Sequence, residues 1–104
     1  MLQGRLVLAK EIVNPKALSI AAINKFGRDY QLRKCVEELN ELAVAVSQFM
    51  NKPNSIQLIE NVYDEMADVK LIMLHLENIF KNKTYLYKRY QYKRDKLAKK
   101  VYSV

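Results

Sequence analysis

Two short stretches, EELNEL at residues 37–42 and DEMADV at residues 64–69, carry the same spacing of acidic and apolar residues. Each residue turns an α-helix by about 100°, so residues three apart lie on the same side of it. Both stretches hold two carboxylates three apart beside apolar neighbours, and both are predicted to be amphipathic helices. The carboxylate pairs are Glu38 with Glu41, and Glu65 with Asp68.

The apolar residues near the two pairs occupy matching sectors of the two helices, so the four acids are predicted to converge where the helices pack. Partly buried carboxylates repel one another and lose hydration, and a bound cation relieves both penalties. A solvated acidic face without a metal is the alternative. The apolar sectors are Leu39, Leu42, Val46 and Phe49 beside Glu38, and Val62, Met66, Val69, Met73 and Leu76 beside Glu65.

The type of ligand indicates which cation would bind. Helical bundles that hold redox iron or manganese pairs use Glu-x-x-His motifs, and no histidine follows Glu38 or Glu65 at that spacing. A set made only of oxygen ligands suits a hard ion such as Mg²⁺, which keeps several positions for water and substrate phosphates. Mg²⁺, with Mn²⁺ as a substitute, is therefore the expected cofactor, and the expected chemistry is that of phosphates.

The run KCVEELNE at residues 34–41, followed by EMADV at 65–69, resembles the EExxE and ExxD signature of the MazG-like all-α nucleoside triphosphate pyrophosphohydrolases. These enzymes are relatives of the dimeric dUTPases and of the phosphoribosyl-ATP pyrophosphohydrolase of histidine synthesis. The resemblance runs from about Ala22 to Phe80 and more faintly into the C-terminal tail. It is closest to the small single-domain versions found in phages and prophages.

The resemblance implies an all-α, four-helix-type bundle that forms a homodimer or homotetramer. It implies an enzyme that uses Mg²⁺ to convert a nucleoside triphosphate, or a related nucleotide, to the monophosphate and pyrophosphate. In this sequence the expected metal ligands are Glu38, Glu41, Glu65 and Asp68.

The candidates for catalysis are Glu38 of the first pair and two residues near it, Lys34 and Glu37. Glu37 matches the first acid of the EExxE signature, which implies that it positions water or supports a ligand. Lys34 lies one turn before Glu38, so it is expected either to pair with that carboxylate or to meet a phosphate.

Two residues after the second pair are candidates for binding the substrate. His75, the only histidine, lies two turns beyond Asp68 on the same side of the helix, where it could hydrogen-bond a ligand carboxylate or the substrate. A capped or solvent-facing histidine is the alternative. Lys81 begins the basic C-terminal region and is the candidate cation for the triphosphate.

Composition agrees with one soluble domain spanning residues 1–104. Half of the residues are apolar, and only two glycines and two prolines interrupt them, which favours helices. The single Cys35 excludes an internal disulfide and fits a reducing compartment. Residues 1–13 lack the unbroken apolar core of a secretion signal, and no stretch approaches the roughly 20 apolar residues of a membrane span. We expect a cytoplasmic protein with no membrane contact.

Turn and capping residues divide the chain into four predicted helices after an N-terminal arm at residues 1–13. Asn14 and Pro15 start the first, which stops at Gly27. The sequence NKPNS separates the second helix from the third, which Asn54 or Ser55 caps. The predicted helices are 15–26, about 29 or 30 to 50, 55–80 and 84–102.

The positive charge is concentrated at the C-terminal end. Residues 81–104 hold nine basic residues and one acidic residue, a net charge of +8, and the rest of the chain sums to −1. We expect this segment to form an amphipathic helix that buries tyrosines and Leu97 against the bundle. The alternative is a non-enzymatic nucleic-acid-binding protein whose tail uses phosphate contacts and base stacking. The tyrosines concerned are Tyr85, Tyr87, Tyr90, Tyr92 and Tyr102.

The second and third helices also present more apolar surface than one carboxylate-lined groove can bury, so a dimer or a dimer of dimers is expected to cover it. The residues concerned are Val36, Ala43 and Met50 on the second helix, and Tyr63, the stem of Lys70 and Leu74 on the third.

Overall fold

The computed structural model describes residues 13–102, which form four α-helices and no strand in that range. The all-α prediction is confirmed, and the predicted N-terminal arm lies outside the described residues apart from Val13. None of the described helices is both long and apolar enough to cross a membrane. The helices are α1, Pro15–Phe26; α2, Arg28–Asn51; α3, Ile56–Phe80; and α4, Lys83–Tyr102.

The helix boundaries follow from local capping. The side chain of Asn14 accepts a hydrogen bond from the N–H of Ala17 at 3.0 Å, which satisfies one free donor of the first turn. Gly27 ends α1 and leads directly into α2 with a φ of 95°, a conformation that glycine adopts without strain. Ser55, rather than Asn54, caps α3 by accepting from the N–H of Leu58 at 3.3 Å.

Helices α2 and α3 pack antiparallel, with the Cys35 thiol of α2 lying 3.7 Å from the Ile72 carbonyl of α3. The buried and half-buried residues at their contact alternate in steps of four and three along each helix, the heptad spacing of paired helices. We call these two rows the inner seam. It consists of Gln31, Cys35, Glu38, Leu42, Ala45 and Phe49 on α2, and Leu58, Val62, Glu65, Val69, Ile72, Leu76 and Ile79 on α3.

The inner seam differs in phase from the predicted apolar stripes. Glu38 and Glu65 are themselves half-buried members of the seam, whereas the sequence placed them beside it. Four of the nine predicted stripe residues are correspondingly exposed rather than buried, with exposed fractions of 39 to 48%. The exposed stripe residues are Leu39, Val46, Met66 and Met73.

Helix α1 lies against α3 and the start of α2. The hydroxyl of the buried Ser19 is 2.6 Å from Nδ1 of His75, and the Asn78 amide donates to the carbonyl of Lys16. The Gln31 amide reaches the Ala22 carbonyl at 3.5 Å. These polar contacts fix α1 across the end of the α2–α3 pair.

Helix α4 extends away from the other three helices, and within the described range it does not pack along any of them. The radius of gyration is 17.7 Å, against about 13 Å for a compact domain of this length. Leu97 is 61% exposed, and the five tail tyrosines are 53 to 75% exposed. The expectation that α4 buries these side chains against its own chain is therefore corrected: one chain forms a three-helix body and a projecting fourth helix.

Candidate metal centre

Three of the four predicted carboxylate ligands meet halfway along the α2–α3 pair. One carboxylate oxygen from each of Glu38, Glu65 and Asp68 lies within 4.8 Å of the other two. Glu38 and Glu65 face each other because both occupy the inner seam, and Asp68 follows Glu65 by three residues on the same side of α3. We call these three residues the carboxylate cluster.

The most informative atoms of the cluster are two oxygens buried inside it. Oε2 of Glu38 and Oε2 of Glu65 are both buried, and the residues that the structure describes give neither of them a hydrogen-bond donor. A buried acceptor without a donor is costly, and a buried carboxylate oxygen without one is more so. A proton, a water molecule or a cation would satisfy these oxygens, and only a proton or a cation would also reduce their negative charge.

The electrostatics of the cluster point the same way. Burial raises the pKa of Glu38 above its ordinary value, and the negative charges of Glu41, Asp68 and Glu65 raise it further. Burial likewise raises the pKa of Glu65, with Glu41 and Asp68 adding to the effect. Both carboxyl groups are therefore harder to ionise than a free glutamate unless a positive charge lies beside them.

Glu41, the fourth predicted ligand, lies at the edge of the cluster. Its side chain is exposed and outside the group of three, yet it is close enough to raise the pKa of both Glu38 and Glu65. Within one chain the structure therefore offers three converging ligands and a fourth carboxylate beside them.

A cavity of about 440 Å³ opens beside the cluster and is lined by one of its members, Glu65, and by the neighbouring Glu41. Its volume lies in the range of small-molecule sites. The amides that line it were not among the predicted site residues, although Asn40, Val44 and Gln48 recur every fourth residue on the Glu41 side of α2. The lining residues are Asn40, Glu41, Val44, Ala45, Gln48, Asn61 and Glu65.

Two of the three catalytic candidates pair with each other. Nζ of Lys34 lies 3.3 Å from Oε2 of Glu37, whereas the sequence predicted Glu38 or a phosphate as its partner. The Glu37 contact also raises the pKa of Lys34. Both side chains are largely exposed, so this ion pair contributes little to stability. Of the three candidates, only Glu38 belongs to the cluster.

The two substrate-binding candidates lie away from the cluster. His75 is seven residues beyond Asp68, about 10 Å along α3, and its Nδ1 is engaged by Ser19. Lys81 ends α3 in a left-handed conformation, φ 65°, about 20 Å from Asp68 along the helix. It lines a separate cavity of about 370 Å³ together with Lys16 and Lys83.

The half-buried His75 predicts a pH dependence of stability. Burial lowers the pKa of the ring below its ordinary value, so the native state favours neutral imidazole. Its stabilising contribution is therefore present above the unfolded pKa and is lost as the pH falls through it toward the lower folded pKa. Urea unfolding at about pH 7.5 and about pH 5.5 should show a smaller loss on acidification in His75→Gln than in the wild type. An equal loss in both proteins would contradict this assignment.

No protein-family model, no curated protein and no solved structure matches the chain.

Proposed function

We propose that the protein is a Mg²⁺-dependent nucleotide pyrophosphohydrolase that converts a nucleoside or deoxynucleoside triphosphate, or a related nucleotide, to the monophosphate and pyrophosphate. The observation that carries the proposal is the pair of buried, donor-free oxygens on Glu38 and Glu65, which converge with a carboxylate oxygen of Asp68. The order of the acidic motifs along the sequence supports the same reading.

The residues present fit a hard divalent cation. Glu38, Glu65 and Asp68 supply only oxygen ligands, and Glu41 supplies a further carboxylate from the cavity side. When bound, the ion would lower the pKa of a coordinated water and neutralise charge on phosphate oxygens. The carboxylates themselves would hold the ion at one fixed point beside the inner seam.

The cavity beside the cluster is where we place the nucleoside. The amides of Asn40, Gln48 and Asn61 offer donors and acceptors for a base or sugar, and Val44 and Ala45 offer apolar contact. A nucleotide seated there would direct its phosphates toward Glu41 and Glu65. In this proposal Glu37, Lys34, His75 and Lys81 take no direct part within one chain.

The proposal is tested by incubating the full-length protein with each common NTP and dNTP in Mg²⁺ or Mn²⁺ and measuring pyrophosphate release. We expect turnover of at least one nucleotide that EDTA abolishes. No release from any nucleotide with either ion would contradict the proposal.

We further propose that the enzyme works in the cytoplasm as a homodimer or homotetramer. A free Cys35 fits a reducing compartment. Large apolar side chains remain exposed on every helix of the three-helix body, more than a stable monomer of this size usually leaves uncovered.

A second candidate function, nucleic-acid binding by α4, is favoured by the exposure of that helix. It carries eight basic residues against one acidic residue, and its tyrosines are open to solvent. If α4 binds nucleic acid, its affinity for single-stranded DNA should fall steeply with salt. A plot of log binding constant against log salt concentration should have a slope of about −0.7 for each neutralised phosphate. Exchanging Lys93 and Lys96 for glutamine should then weaken binding, and the same exchange at Lys25 and Lys52 is the control. We expect the wild type to bind DNA weakly and both double variants to bind it equally weakly, because we place the activity in the carboxylate cluster and not in α4.

A further inference from the structure

A cavity of about 370 Å³ lies at the junction of three helices, where α1 begins, α3 ends and α4 begins. Three lysines from these helix ends line it: Lys16 near the start of α1, Lys81 directly after α3, and Lys83 at the start of α4. We call it the lysine cavity. The other residues that line it are Ile20, Ile23, Asn24, Glu77 and Asn78.

The backbone at this junction keeps the three lysines together. Only two residues connect α3 to α4, so Lys81 and Lys83 stay close to each other. Lys81 has a φ of 65°, and its N–H donates to the Glu77 carbonyl at 2.9 Å. The Asn78 amide donates to the Lys16 carbonyl at 3.4 Å, which fastens the start of α1 to the last turns of α3. Three exposed side chains are therefore anchored around one space.

The positive charge of the lysine cavity has no counter-charge of equal size. Neither of the two ion pairs among residues 13–102 involves a lysine of the cavity. The lining carries three positive charges against the one negative charge of Glu77. The contact between the Lys83 and Lys16 side chains lowers the pKa of Lys16, and the repulsion between their charges lowers it further. A bound anion would relieve this repulsion.

We propose that the lysine cavity binds the phosphate groups of a small polyphosphate anion, the chemistry shared by inorganic pyrophosphate and the nucleoside di- and triphosphates. Each ammonium group offers three donors, and charge-assisted hydrogen bonds to phosphate oxygens are short and strong. Three ammonium groups around one space match an anion with several negative charges. A singly charged anion would leave most of their charge uncompensated.

The rest of the lining has room and contacts for the organic part of a nucleotide. The volume lies in the range of small-molecule sites and exceeds what a single phosphate group fills. Ile20 and Ile23 of α1 offer apolar contact beside the lysines, and Asn24 offers an amide donor and acceptor. A nucleotide would therefore gain contacts that pyrophosphate cannot make.

The lysine cavity is separate from the carboxylate cluster. It shares no lining residue with the cluster or with the cavity beside it, and Lys81 lies about 20 Å from Asp68 along α3. The cluster suits a cation, whereas the lysine cavity attracts an anion directly. The inference therefore goes beyond the proposed function, and its test needs neither a metal ion nor turnover.

The test is calorimetric titration of the full-length protein with pyrophosphate and with ATP, in EDTA and at low ionic strength. We expect saturable binding of both anions. The double variant Lys16→Gln/Lys83→Gln loses two charge-assisted contacts and should raise both dissociation constants by about tenfold or more. Lys52→Gln/Lys99→Gln removes the same charge at exposed positions outside the cavity, and it is the matched control.

Removing the one carboxylate of the lining should have the opposite effect. Glu77→Gln leaves the three lysines without a competing negative charge, so both anions should bind about two- to fivefold more tightly. Glu60→Gln removes the same charge from an exposed position outside the cavity and should change binding much less. A merely structural role for the lysines would not produce this gain.

The two anions distinguish the possible ligands. We expect ATP to bind more tightly than pyrophosphate, with Asn24→Ala reducing the difference, which would assign the site to nucleotides. Equal or tighter binding of pyrophosphate would assign it to the inorganic anion. Amide chemical shifts in ¹⁵N-labelled protein should change around Lys16 and residues 77–83 when either anion is added.

Three results would overturn the proposal. The first is the absence of binding of either anion at millimolar concentration. The second is equal binding by the wild type and by Lys16→Gln/Lys83→Gln with wild-type circular dichroism. The third is a set of chemical-shift changes confined to residues outside the lysine cavity.

Discussion

Replacing Glu38 with glutamine is expected to lower pyrophosphate release by about 10²-fold or more, because an ion held at the cluster is worth several kcal/mol to the transition state and each 1.36 kcal/mol is tenfold in rate. Asp68→Asn should act similarly. Glu41→Gln should cost less, since Glu41 lies outside the group of three converging ligands. Initial rates at saturating nucleotide and fixed Mg²⁺ measure these differences.

The same substitution should leave the helical fold intact and make the metal-free protein no less stable. Burial and neighbouring negative charges raise the pKa of Glu38, so its ionised form is disfavoured in the native state, and an amide removes that penalty. Glu60→Gln on the exposed side of α3 is the matched control for the loss of one negative charge, and its activity should equal that of the wild type. Full activity in both Glu38→Gln and Asp68→Asn would contradict the assignment of the cluster.

A divalent cation is expected to raise the melting temperature strongly. Binding at 100 times the dissociation constant stabilises the native state by about 2.7 kcal/mol, and 1 kcal/mol corresponds to about 4–8 °C for a domain near this size, so the shift should be roughly 10–20 °C. Thermal unfolding followed by circular dichroism with EDTA, Mg²⁺ or Mn²⁺ measures it.

The pH dependence of that shift has a definite sign. The raised pKa of Glu38 and of Glu65 means that their contribution to metal-free stability is fully present below the unfolded pKa and is lost as the pH rises through the folded pKa. Metal binding requires the ionised carboxylates. The metal-induced rise in melting temperature should therefore grow from acidic to neutral pH and should be nearly absent in Glu65→Gln. An equal rise in that variant would show that the ion binds elsewhere.

The sequence predicted the elements that local chemistry determines. The helix boundaries follow from capping residues such as Asn14 and Ser55, and the convergence of Glu38, Glu65 and Asp68 follows from their three-residue spacing on two helices that pack. The sequence did not show which side of α2 faces α3, because α2 carries two adjacent rows of residues with heptad spacing. Hydropathy places the apolar Leu39 and Val46 in the packed stripe, whereas the helices pack through the row that contains Gln31 and Glu38.

Contacts between distant parts of the chain could not be predicted from the sequence either. The partner of His75 is Ser19, 56 residues earlier, and no local spacing indicates that pairing. The position of α4 depends on whether its basic, tyrosine-rich face finds a surface to cover it, and its own three-helix body does not provide one. The amides of the cavity were missed because Asn40, Gln48 and Asn61 converge only once α2 and α3 are packed.

If the carboxylate cluster acts as proposed, the nucleotide is cleaved between its α- and β-phosphates. The most direct measurement is ³¹P NMR of the reaction of the full-length protein with Mg²⁺ and the nucleotide that it turns over fastest, with Glu38→Gln run in parallel. We expect equimolar nucleoside monophosphate and pyrophosphate from the wild type and neither product from the variant. Formation of nucleoside diphosphate and orthophosphate, or equal product yields from both proteins, would contradict it.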